Sequence, residues 1–135
     1  MNREILFRGK RADTKEWIYG DVQQNVDAVK IREQEPNIQR IAKSFKVIPE
    51  TVGQFTGMTD KNNRKIFEGD IIEYIFPVTN KAVVKETGVV IYDGCGFHIA
   101  NDGCMLCVAS GDGDVVIEVI GNIHDNPDLL EVTVD

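Results

Sequence analysis

Apolar and polar residues alternate along most of this chain, and the alternation predicts strands almost throughout. In the opening stretch EILFR, Ile5 and Phe7 recur with period two, the pattern of a half-buried strand. WIYGDV forms a second such strand after the polar turn RADTKE. VDAVKI reads as a third, with Val26, Ala28 and Lys30 on one face and Asp27, Val29 and Ile31 on the other. The period then changes. Ile38, Ile41, Ala42 and Phe45 recur at helical spacing behind Pro36, which predicts one short amphipathic helix from Pro36 to Lys46.

Beyond Pro49 the strand pattern returns. TVGQFTG runs to Gly57, and the polar connector MTDKNNRK follows. Within it Asn62 and Asn63, tolerant of positive φ, predict a tight turn. DIIEYIF is a strand that Pro77 is expected to stop, and AVVKETGVVIY is one long strand with Gly88 at a bend or bulge. Asp93-Gly94 signals a hairpin with FHI as its return. CMLCVA is a short edge strand, SGDGD a loop, VVIEVIG a buried strand, and NIHDNPDLL a closing turn with one helical turn. Many short strands with frequent turns describe a sandwich or small barrel, and the bend at Gly88 favours the barrel.

The chain has 135 residues, 42% hydrophobic and 27% charged, as expected of one globular domain or two small barrels sharing a core. No apolar run approaches the length needed to cross a bilayer, and MNREILFRGKR lacks the form of a signal peptide, so a reducing cytoplasm is expected. Charge is unevenly spread. The total is −7, yet Lys85 is the last basic residue, and residues 86–135 carry ten carboxylates. The first 85 residues are therefore net positive. That balance speaks against general affinity for a phosphate backbone. It suits a solvated acidic face, head-to-tail self-association, or a basic partner met by an acidic surface.

Three kinds of chemistry are conceivable. Cys95, His98, Cys104 and Cys107 supply zinc-type ligands, but in an extended strand positions three apart face opposite ways, so the cysteines read as buried or edge thiols. A Cys-His nucleophile would rest on Cys95 with His98, or on His124, whose setting in GNIHDNPD is already explained by a turn. Glu68 and Asp70 share a strand face, but both are expected at a polar lip where water keeps them ionised, with Gly69-Asp70 serving as a turn. Phosphate-loop and calcium-loop patterns are absent. Trp17, Tyr19, Phe55, Tyr74 and Phe97 are candidates for a peptide groove, with core positions the stronger expectation.

Three blocks are more specific: REILFRGKRADTKEWIYGD, VIPETVGQFTGMTDKNNRKIFEGDIIEY and EVIGNIHDNPDLLE. Together and in this order they resemble the YopX family of phage and prophage proteins. The resemblance implies a mainly β fold. It places an SH3-like barrel over residues 58–135, opening at EGDII and closing through EVIGNI, with the strands and short helix of residues 1–57 packed upon it. Its architectural positions are Gly57, Asn62, Asn63, Gly69, Asp70, Gly88, Gly121, Asn122 and Pro127. Asn62-Asn63 stands where the family usually has Asn-Gly, RGKR departs from the usual first block, and the three cysteines lie outside the family pattern. The resemblance implies a phage or prophage origin and brings no catalytic residues, cofactor or metal.

The expected function is thus a non-enzymatic accessory protein acting through protein-protein contacts, as a homo-oligomer, in the bacterial host cytoplasm. Two alternatives stand beside it: an acidic DNA-mimic-type decoy for a host nucleic-acid-binding protein, and a hydrolase built on Cys95 and His98.

Overall fold

The computed structural model describes residues 5–26, 28–33, 43–79, 82–93, 96–99 and 116–130. It is mainly β, and all the strand pairings below are antiparallel. The chain divides into two compact units, Met1–Phe55 and Thr56–Asp135. No helix among the described residues is long and apolar enough to cross a membrane.

The first unit holds β1 (Phe7–Lys10), β2 (Trp17–Gln24), β3 (Val29–Glu33), β4 (Ser44–Lys46) and the start of β5 (Gly53–Thr59). Their order is β4-β3-β2-β1-β5. The β1–β2 turn is closed by Arg11 N–H donating to the Glu16 carbonyl, with Lys15 at φ 66°. Alternation sends Ile18, Ile31 and Val47 to one face, where Phe7, Val29, Phe45 and Val52 pack around them. Gly20 is dictated by a neighbour: a Cβ there would collide with the Arg32 carbonyl. After β4 a single 3₁₀ turn, Pro49–Thr51, is tied back to β1 by the Thr51 hydroxyl, which accepts the Lys10 N–H at 2.9 Å.

The helix expected over Pro36–Lys46 does not extend to its predicted end. Residues 34–42, with Ile38, Ile41 and Ala42, lie outside the described residues, but Ser44–Lys46 form a strand on β3. Phe45 sits opposite Ile31 and joins the core. Tertiary burial on a period-two ladder overrides a helical spacing that only one described residue shares.

The second unit continues β5 into β6 (Lys65–Phe67), then β7 (Asp70–Thr79), β8 (Ala82–Asp93), β9 (Gly96–Ile99), β10 (Val116–Asn122) and a 3₁₀ turn, Pro127–Leu130. Four strands form a sheet in the order β10-β7-β8-β9. Its core is Ile66, Ile72, Tyr74, Val90, Ile99, Ile117 and Val119, with Met58 and Phe97 packed against it.

The described strands of this unit form the order β10-β7-β8-β9, and no closed barrel is seen among them. Two expectations about its strands need correcting. Pro77 does not end its strand: β7 runs on to Thr79, with a register shift between Pro77 and Thr79. A proline that cannot donate to the ladder is tolerated beside such an irregularity. Gly88 is not a bulge, for the β7–β8 ladder runs evenly past it, pairing it with Ile72. Its reason is close approach, since a Cβ would lie 2.5 Å from Ile99 Cγ2. The other irregularity falls between Val119 and Gly121. There a Cβ on Gly121 would meet Asn126 Oδ1 at 2.6 Å.

Candidate functional site

Two buried carboxylates organise the second unit. Asp60, 6% exposed, lies at the head of the β5–β6 turn. Its Oδ1 accepts the N–H groups of Asn62 and Arg64, both at 2.9 Å, which closes the turn locally. Its Oδ2 accepts the Val119 N–H at 2.9 Å, 59 residues away on β10. Beside it the Lys61 N–H donates to the Ile117 carbonyl and the Arg64 guanidinium to the Val119 carbonyl. One turn thus clasps the terminal strand of the four-stranded sheet. Burial raises the Asp60 pKa, but the N–H groups of Val119, Arg64 and Asn62, with the Arg64 charge, outweigh it and hold the carboxyl below its ordinary value.

Asp70 is 2% exposed, not at a wet lip as its flanking sequence suggests. Its Oδ2 accepts the Phe67 N–H at 2.7 Å, bridging the turn from β6 into β7. Gly69, at φ 92°, supplies the left-handed step; its N–H donates to the Val90 carbonyl and its carbonyl accepts from Ile123. Glu68 is only half-buried, so the two carboxylates that share a strand parity sit in different surroundings. Burial of Asp70 follows from Ile71 and Ile72, both fully inaccessible, which draw the whole strand start inward.

The remaining architectural positions have local reasons. Asn63 takes the left-handed conformation, φ 62°, and its N–H donates to the Asp60 carbonyl. Asn62 contributes its backbone N–H to Asp60. Gly57 has φ 91° in open space. Asn122 Oδ1 accepts the N–H groups of both His124 and Asp125, so it caps the closing turn that Pro127 continues.

Among the described residues, those considered for chemistry lie on separate elements. His98 stands on β9 opposite Ile91, and His124 lies in the capped turn. Cys95, Cys104 and Cys107 lie outside the described residues. Among the described residues no group of three His, Cys, Asp or Glu side chains is placed to hold a metal. The aromatic candidates separate: Phe55 and Tyr74 are buried, Trp17 and Phe97 half-buried, and Tyr19 is 46% exposed. Sequence reasoning passed over Asp60 altogether. The available signal was its position two residues before Asn62 and four before Arg64, the spacing of an Asx-type turn.

A two-unit, mainly β protein whose buried acids Asp60 and Asp70 close turns is an architectural class. Within that class the chain belongs to the YopX family, matching the YopX protein family over residues 6–131. It is also similar to the crystal structure of protein EF1440 from Enterococcus faecalis, with a TM-score of 0.61 and 25% sequence identity over 96% of this chain and 100% of that one. No curated protein matches it significantly.

Proposed function

We propose that this YopX-family chain is a non-enzymatic phage or prophage accessory protein of the bacterial cytoplasm that works through protein-protein contacts and self-associates. The observation that carries the reading is an exposed apolar pair beside a sheet edge. Ile91 and Tyr92 on β8 are 38% and 57% exposed, and they pair with His98 and Phe97 of β9, the terminal strand of its sheet among the described residues. Large apolar side chains next to a strand edge favour addition of another strand. Tyr92 also stacks edge-on against Phe97 with ring centroids 5.0 Å apart, which fixes it in place for a contact.

Two further features support a contact role. The buried carboxylates that would otherwise be candidates for acid-base work direct their oxygens at backbone N–H groups. The SH3-like character of the second unit, which the family resemblance implies, is that of a scaffold used widely for binding. In this reading β9 edges of two copies meet. Light scattering at micromolar concentration then gives a dimer or higher assembly, and Tyr92→Lys shifts it to monomer without loss of melting temperature. A monodisperse monomer of the unaltered chain would overturn the proposal.

A further inference from the structure

The first unit's sheet has two faces of opposite character. One is its core. The other is fixed by register: Arg8 lies opposite Tyr19, Lys10 opposite Trp17, Asp21 opposite Arg32, Gln23 opposite Lys30, and Lys30 in turn opposite Lys46. Because side chains alternate along each strand, all of these share the face away from Ile18 and Ile31. Among the described residues of β1–β4, five cations stand there against one carboxylate, Asp21.

Two aromatic rings stand among the cations. The Arg8 guanidinium lies 4.6 Å from the centroid of Trp17 and Lys10 Nζ 5.6 Å from it. Tyr19, next along β2 on the same face, is 46% exposed, while Arg8 is buried. Lys10 and Lys30 are half-buried, and Arg32 and Lys46 exposed. From β1 to β4 this array spans three strand spacings, or about 14 Å.

We infer that this face binds single-stranded nucleic acid, with bases stacked on Tyr19 and Trp17 and phosphates held by Lys10, Lys30, Arg32 and Lys46. Interleaved rings and cations on an open sheet suit this ligand, because every base has a face to stack and every link a phosphate. An acidic peptide would use the cations and leave the rings idle. Duplex would offer phosphates but keep its bases stacked internally. The acidic composition of the chain as a whole does not forbid such a face, because screening confines the effect of distant exposed charges to about 10 Å. The site lies on the first unit and stands independently of self-association at β9.

The test is fluorescence anisotropy with labelled oligo-dT of twelve nucleotides at 50 mM salt, using the full chain. Saturable binding is expected, with Trp17 emission quenched. Tyr19→Ala should weaken it about tenfold, the effect of removing one stacked base. Arg32→Glu and Lys46→Glu should each weaken it and lower the salt slope by roughly one. Circular dichroism checks that each variant is folded, and Lys30→Glu stands in for any that is not. Three outcomes overturn the assignment: no binding of oligo-dT, binding indifferent to Tyr19→Ala, or equal affinity for poly-glutamate or for a twelve-pair duplex.

Discussion

The two units solve the same problem, an antiparallel sheet with exposed polar backbone, in different ways. The second ties its strands with buried side chains: Asp60 reaches from a hairpin turn to β10, and Asp70 spans the entry to β7. The first relies on local turn bonds and a smaller apolar cluster around Ile18, Ile31 and Val47, and on β1–β4 its other face carries cations with Trp17 and Tyr19 among them. The contrast teaches where substitution should be felt. In the second unit single polar atoms carry stability, because a buried acceptor that is removed leaves several N–H groups unsatisfied. On the first unit's outer face Tyr19, Arg32 and Lys46 are exposed, so substitutions there should be felt less in stability.

The largest expected effect is at the clasp. Asp60→Ala should lower stability by about 3 kcal/mol, since it removes the charged acceptor of three backbone N–H groups, and chemical denaturation would measure it. The same residue gives a pH signature. Its folded pKa is depressed, so its stabilisation is fully present above the unfolded aspartate value near 4 and is lost as pH falls through the lower folded value. Acid unfolding should therefore begin at higher pH in Asp60→Asn than in the unaltered chain.

Gly69→Val comes next. A β-branched residue at φ 92° is strained, and the site is buried, so about 2 kcal/mol or more should be lost. Asp70→Asn should cost about 1 kcal/mol. A neutral amide in a buried site retains one acceptor and gains a donor that must find a partner. Smaller still is Asn63→Gly, expected to be neutral or slightly stabilising at φ 62°. At the far end of the scale, Tyr19→Ala and Arg32→Glu on the first unit's outer face should leave melting within about 0.5 kcal/mol of the unaltered chain. A large loss there would break the distinction between the two units.

Much of this was legible in the residues. The strands around Trp17 and Ile117 follow period-two alternation, and Gly69-Asp70 carries the turn that its residue types require. What escaped has a common cause. The end of the expected helix failed because Phe45 was counted on a helical stripe, whereas in the fold its partner is Ile31 across a ladder. The reason for Gly88 is a close approach to Ile99, eleven residues away, and no local pattern encodes that approach. The cationic face could have been glimpsed in the alternation of Arg8 with Lys10 and of Lys30 with Arg32, but net charge alone concealed it.

The sequence by itself determined that the chain is mainly β, where its turns fall, and which family it joins, because alternation and turn chemistry act over a few residues. Only the tertiary structure decided that Asp60 clasps β10, that Asp70 is buried, and that five cations share one face with Trp17 and Tyr19. Those facts depend on strand register, which couples residues tens of positions apart through backbone hydrogen bonds that no local stretch of sequence specifies.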